Sequence, residues 1–348
     1  MGESIIASRK PYLTAVQAGR TYYWCACGKS AKQPFCDGSH KDTGFEPIKF
    51  VPEEDGELLF CGCKRTGAVP ICDGSHNALP GLYGEDVDET QAALVERQPG
   101  GATTLLDGGC YVLSPADIER SPYGTLSLAP LVTAADGAKF LSAFCLTVAP
   151  GEAPPLGFGD SDAVLFLRTG ECACSVSGRN FPLSGASGLY VRPGESLTIT
   201  NTGDAPAEWL AVVCPGVAEL AVGGVGGGVF DEDFPGRAGT LDADQRTAMG
   251  DRFYQVLIGE ETGSREVTLF IGEIPQSRAG YHHHLYEEVI GILSGEGYMW
   301  TGSKKTPVTP GDVIFLPAKQ MHALECTSPE GMQLMGAFYP AGSPAINY

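Results

Sequence analysis

From residue 103 to the C-terminus, apolar residues come in short runs broken by glycine and proline. No stretch sustains the i, i+3, i+4, i+7 spacing of a long amphipathic helix. Runs at 110–113, 140–148, 163–167, 188–191, 197–200 and 209–213 predict one group of strands. Runs at 253–258, 266–274, 289–293, 298–301, 313–316 and 333–339 predict a second. Turn signals such as Ala149-Pro150-Gly151 and Arg192-Pro193-Gly194 separate them. The groups line up, Thr169-Gly170-Glu171 with Ser294-Gly295-Glu296 and Pro193 with Pro317, at offsets of 125 and 124. The expected fold is therefore mostly β, with two related barrels over 103–223 and 224–348. A connector over 86–102 precedes them. There Asp88-Glu89-Thr90-Gln91 predicts a capping box opening a short helix through Arg97, ended by Pro99-Gly100-Gly101. The glycines from Gly223 to Gly228 open no helix after a strand and read as a flexible linker between the barrels.

Composition narrows the classes. A chain of 348 residues suits two or three domains, and 47 Gly with 25 Pro suits turn-rich β architecture. A net charge of −19 argues against nucleic acid and anionic membrane surfaces as partners. The charge is uneven: residues 1–80 hold nine basic and nine acidic residues, whereas 81–348 hold 14 and 33. Without an apolar run of membrane-spanning length or a signal-like N-terminus, the expected location is the cytoplasm.

Six of the twelve cysteines fall in the first eighty residues, in two copies of one pattern. Cys25-x-Cys27, Cys36 and His40 recur as Cys61-x-Cys63, Cys72 and His76, every position shifted by 36. Three thiolates and one imidazole in so short a span suit zinc or iron. Each copy reads C-x-C-x2-[S/T]-x3-P-x-C-D-G-S-H, and on those residues resembles the CDGSH iron–sulfur family of the mitoNEET type. The resemblance implies one [2Fe–2S] cluster per copy, held by Cys25, Cys27, Cys36 and His40, and by Cys61, Cys63, Cys72 and His76, in a tandem module over 1–85. Single-copy members pair as dimers, so a tandem chain would form that pair internally. About 36 residues bury little core, and each lobe should depend on its cluster to fold. A neutral imidazole in place of a thiolate raises the cluster potential. Asp37 and Asp73 read as turn caps.

The other histidines lie in Tyr281-His282-His283-His284-Leu285-Tyr286-Glu287-Glu288 and at His322. On an extended segment His282 and His284 share a face. His282-x-His284-x3-Glu288-x6-Gly295 and Gly311, Pro317 and His322 resemble the two motifs of the cupin superfamily, with Lys319 where that family has glycine. The resemblance implies a mononuclear divalent metal on His282, His284, Glu288 and His322, with Fe(II) first and Mn, Zn or Ni as alternatives. Five of the six histidines fall on such positions. In the first barrel the offsets place Gly157, Gly159, Ala163 and Thr198 at the ligand positions, so no metal is expected there. Cys172 and Cys174 read as buried apolar residues. Inward aromatic candidates of the second barrel are Tyr281, Tyr286, Tyr298, Trp300, Phe315 and Phe338.

A redox module joined to a mononuclear site suggests a non-haem Fe(II) oxygenase. It would act on a small molecule with O2, with electrons from the two clusters and an external reductase as donor. Two other functions fit the same residues: a Mn, Zn or Ni hydrolase or isomerase, of the kind seen in ureidoglycine aminohydrolase-like bicupins, with the clusters as redox or pH sensor, or a non-enzymatic sensor or cluster-transfer protein. A homodimer is a possible assembly.

Overall fold

The computed structural model describes residues 4–73, 75–78, 92–97, 101, 103–216, 220–224 and 228–346. Among them the regular structure is β, and the helices are short 3-10 turns. None is long and apolar enough to cross a membrane. The chain divides into two compact units, 1–86 with 343–348, and 87–342.

In the first unit the two copies are interlaced. Tyr12–Val16 of the first copy pairs antiparallel with Gly56–Phe60, the strand that leads into Cys61. Tyr22–Trp24, which leads into Cys25, pairs with Ile48–Phe50 of the second copy. Each motif thus hangs from a strand held by the other copy, as in a symmetric dimer joined into one chain. Val16, Trp24, Phe60, Cys61 and Cys63 form the small shared core, with Phe35 and Phe50 against it. The Phe60 ring meets Phe35 and Phe50 edge-on, at 5.2 and 5.6 Å between centroids.

The second unit holds two barrels, and period-two alternation sorts their side chains. Along Glu287–Ser294, Ile290 and Ile292 face the second barrel's interior with Phe270, Met299, Ile314, Leu324 and Phe338. Val289 faces the other way, into a core shared with Val164, Phe166, Leu210 and Val212 of the first barrel. Because the strand is buried on both faces, it reads as a continuous apolar run.

The sheets cross the boundaries expected at 103 and 224. Tyr111–Leu113 pairs with Val313–Phe315 of the second barrel, and Thr103–Leu105 pairs with Tyr111–Leu113 outside it. In return Ala238–Thr240 pairs with Ser187–Leu189 of the first. The expected helix through Arg97 is also corrected where it is described. Ala93–Leu94 is a strand, parallel to Lys304–Lys305, and Val95 N–H donates to Lys305 O at 2.8 Å. An open sheet edge offers backbone partners that a marginal ten-residue helix cannot match. The capping-box residues 88–91 and linker residues 225–227 lie outside the described residues. Ala221–Val222, just before that linker, adds to Leu156–Gly157 as a short strand.

Candidate metal and cluster sites

His282 and His322 face each other across a two-hydrogen-bond bridge, His282 N–H to His322 O at 3.0 Å and His322 N–H to His282 O at 2.9 Å. The His284 carbonyl accepts from Lys319 N–H at 2.6 Å. Lys319 has a φ of 68°, so it adopts the left-handed backbone for which glycine is favoured at that motif position. Ring centroids lie 5.1 Å apart for His282 and His284, 4.4 Å for His282 and His322, and 4.8 Å for His284 and His322. One ring nitrogen from each comes within 4.8 Å of the others.

The outward ring atoms are held. His282 Nδ1 lies 2.9 Å from Gly280 O, and His322 Nδ1 lies 2.8 Å from Gln320 O. A carbonyl accepts only from N–H, so both rings carry their proton on Nδ1 and keep the Nε2 lone pair for a metal. Burial first, and then the facing imidazoles, push His282 well below its ordinary pKa and His322 down to about 3. The site thus favours the neutral imidazoles that bind metal.

Glu288 supplies the anionic member of the set. Its Oε2 is buried, makes no hydrogen bond, and lies 3.0 Å from His284 Nδ1. A carboxylate oxygen in that state is costly unless a cation claims it. Gly336 makes room for it: a Cβ there would meet the Phe270 ring at 2.2 Å and Glu288 Oε1 at 3.1 Å. The donor set fits a divalent first-row metal: three of the four predicted residues, His282, His284 and His322, bring donor atoms together, and Glu288 adjoins them through His284. His283 stands outside the group.

Of the six aromatic candidates, Tyr286 and Phe338 belong to the interior. Tyr286 stacks on His284 at 4.5 Å and on Phe338 at 4.1 Å. The other four are corrected. Phe315 faces the first barrel, and Tyr281, Tyr298 and Trp300 form a separate cluster with Ala323. Strand parity decides this, since Met299 and Ile314, their neighbours in sequence, take the interior positions.

The strands also correct the alignment of the barrels. Thr301 pairs with His322 as Val176 pairs with Leu197, and the His282–His322 bridge corresponds to Leu156 with Leu197. Leu156, Phe158, Ala163 and Leu197 therefore stand where His282, His284, Glu288 and His322 do, replacing Gly157, Gly159 and Thr198 of the sequence alignment. All four are buried in one apolar core. Cys172 and Cys174 join that core, and burial raises both thiol pKa values, Cys172 to about 11.

In the N-terminal unit the cysteines pair as two donor couples per copy. Cys25 Sγ and Cys27 Sγ are 3.6 Å apart, and Cys36 Sγ lies 3.1 Å from His40 Nδ1. The second copy repeats this at 3.5 Å for Cys61 and Cys63 and 3.2 Å for Cys72 and His76. Such separations suit two donors of one tetrahedral ion, one couple per iron of a binuclear cluster. Asp37 accepts from Ala31 and Ser39 N–H, and Asp73 from Gly67 and Ser75 N–H. They close the motif loops, as the turn-cap reading expects. The motif hydroxyls Ser30 and Thr66 each donate at 2.6 Å across the loop, to Phe35 O and Ile71 O.

Two family models match the chain. The iron-binding zinc finger CDGSH type covers residues 3–41, and the cupin domain covers 272–338. CDGSH iron-sulfur domain-containing protein 3, mitochondrial, of Homo sapiens is 51% identical over 53 residues, 15% of this chain and 42% of that protein. Its Mus musculus counterpart is 48% identical over 52 residues, 14% of this chain and 38% of that protein. The chain spans about two fifths of the length of these relatives. Among solved structures, protein YlbA from E. coli, of family DUF861, superposes with a TM-score of 0.54 at 17% identity. It covers 69% of this chain and 95% of its own. An S161A mutant of Bacillus subtilis oxalate decarboxylase superposes with a TM-score of 0.54 at 13% identity, covering 67% and 78%. At such identity the likeness is one of fold. The chain thus carries a match to the CDGSH type near its N-terminus and to the cupin domain in its second barrel, and its two barrels share the fold of these solved structures.

Proposed function

We propose that the protein is a mononuclear non-haem iron oxidoreductase of the cupin type, acting on a small molecule with electrons from two [2Fe–2S] clusters. The observation that carries the reading is the cluster of three imidazoles, two of them fixed in the ligand tautomer, with the buried Glu288 carboxylate 3.0 Å from His284. His282, His284, Glu288 and His322 would hold the metal. When bound, it would supply Lewis acidity and, as iron, one-electron chemistry towards O2. The chain's own part is to hold three rings and one carboxylate in place, and to line the site with apolar groups. Phe270, Ile290, Ile314, Leu324 and Phe338 exclude water, and Tyr286 covers the face of His284. The two interlaced sets of three cysteines and one histidine support one-electron carriers in the same chain.

A second reading is favoured by the fold neighbours, among them an oxalate decarboxylase described with Mn(II) centres. Here the barrel would hold Mn, Zn or Ni for decarboxylation, hydrolysis or isomerisation, with the clusters as sensor. Metal analysis of anaerobically purified protein separates the two. Roughly five irons per chain supports the iron oxidoreductase, since two [2Fe–2S] clusters account for about four. About four irons and one other metal overturns it in favour of the second reading.

A further inference from the structure

Among the positions at which the two CDGSH copies differ, three meet in the space between them. Cys61 O accepts from Trp24 Nε1 of the first copy and from Lys64 Nζ of the second, both at 3.0 Å. Lys64 Nζ also donates to Gln33 Oε1 of the first copy at 2.9 Å, and lies 4.5 Å from the centroid of the Trp24 ring. At the offset of 36 these residues correspond to Phe60, Gly28 and Val69, so no second bridge is built. Lys64 is buried, and its φ of 64° matches the left-handed backbone of Gly28 at 81°. The chain thus keeps a lysine where glycine would relieve strain, and turns its ammonium inward. No Cβ fits at Gly28, where it would meet Ile5 O at 1.8 Å. One copy alone can carry the cation.

We propose that Lys64 is a shared electrostatic bridge that raises the reduction potential of both clusters. Each one-electron reduction adds one negative charge to a cluster, and a fixed cation in a low-dielectric interior favours the more negative state. Burial lowers the Lys64 pKa, whereas Cys25, Cys61, Cys63 and Cys27, all within electrostatic reach of the ammonium, oppose that shift. The charge is therefore felt by both donor sets, and the duplication yields a coupled pair rather than two independent carriers.

The inference rests on the two-cluster reading. Its test is a dithionite potentiometric titration of the full chain, followed by visible absorption and EPR. Lys64→Gly suits the left-handed backbone and should fold at least as well as wild type. Both midpoint potentials should fall in Lys64→Gly and in Lys64→Met, and stay near wild type in Lys64→Arg. Lys29→Met, which removes an exposed side chain of the first copy, should move neither. With about four cluster irons retained, an unmoved pair of potentials, or a shift in one cluster only, overturns the bridge and leaves the clusters in place. A wild-type chain that binds no cluster overturns the reading and the bridge together.

Discussion

Glu287 and Glu288 are neighbours on one strand and serve opposite sides of it. Glu288 turns into the second barrel beside His284, and Glu287 turns out to the first. There its carboxylate accepts the backbone N–H groups of Lys139, Phe140 and Leu141, at 2.9 to 3.3 Å. Charged acceptors make the stronger hydrogen bonds, and this one is 2% exposed. The first barrel thus clamps the strand that carries Glu288, a proposed metal ligand. Glu287→Ala leaves three backbone donors orphaned and should cost roughly 3–5 kcal/mol of stability. Glu287→Gln keeps one acceptor and should lose less. In both, metal affinity should fall about tenfold or more, as for residues that orient ligands. Thermal melts with calorimetric metal titration would check this. Unchanged affinity in a destabilised variant would reduce Glu287 to a seal between barrels.

A second clamp lies wholly between charged groups. Arg237, 0% exposed, grips Glu195 with Nη1 to Oε2 at 2.7 Å and Nη2 to Oε1 at 2.9 Å, and lies over the Phe230 ring at 4.6 Å. Burial alone would raise the Glu195 pKa, but hydrogen bonds from Arg237, Arg192 N–H and Asp231 N–H bring it below the ordinary value. A depressed carboxylate stabilises the fold above its unfolded pKa and loses that contribution as pH falls through the folded one. Stability should therefore decline below about pH 4.5, and less so in a paired Arg237→Met, Glu195→Leu variant. Arg237→Met alone strands a buried charge and should cost about 3–5 kcal/mol. Urea unfolding across pH would show both effects, and a single variant as stable as the double would refute them.

Two of the imidazoles set a different pH window. His282 and His322 stay neutral in the folded metal-free barrel, whereas in the unfolded chain they take up protons near pH 6.5. The unfolded state binds more protons between that pH and about 3, so apo stability should fall as pH drops through this range. His322→Gln should flatten the slope. An apo protein equally stable at pH 7 and pH 5 would contradict the geometry.

Strand alternation and the glycine and proline turns made the two barrels legible in the sequence, because a half-buried strand repeats every two residues. The paired motifs made the cysteine and histidine positions legible, because ligand spacing is local. What was not legible is non-local. Nothing near Tyr111 says that it pairs with Phe315, some two hundred residues on, and nothing near Ala93 says that an open edge at Lys304 awaits it. One slip was local. Phe158 to Ala163 is one residue longer than His284 to Glu288, so the offset of 125 put Gly157 and Gly159 in place of Leu156 and Phe158, and matching Pro193 with Pro317 at 124 put Thr198 in place of Leu197. In a strand one residue turns a side chain to the opposite face. Lys64 had a visible signal, a lysine against Gly28 between copies whose ligand positions match, and it carried no meaning until the copies were seen to interlace.

Cluster occupancy can be read copy by copy. Cys36→Ser and Cys72→Ser should each remove about half the visible absorption and destabilise the shared core, since each motif hangs from a strand of the other copy. His40→Cys and His76→Cys should keep a cluster at lower potential and with less acid lability, since a thiolate restores negative charge. Absorption unchanged by either serine variant would refute the assignment.

Gly336 offers the sharpest test of the barrel site, because it touches the ligand set without belonging to it. Its place on Met332–Tyr339, opposite Ile290 of Glu287–Ser294, puts a missing side chain between the Phe270 ring and Glu288. Gly336→Ala adds a methyl where Phe270 stands 2.2 Å away, so the ring or the strand must move, and Glu288 Oε1 at 3.1 Å moves with it. Overpacking of this kind costs about 1–3 kcal/mol. The carboxylate displacement should weaken metal binding about tenfold or more. Phe270→Leu in the same chain vacates the ring's place and should recover much of both losses. Metal affinity that drops in Gly336→Ala and returns in the pair places Glu288 in the coordination set. Affinity that stays at the wild-type level while stability falls removes Glu288 from it and leaves three histidines as the metal's only protein ligands.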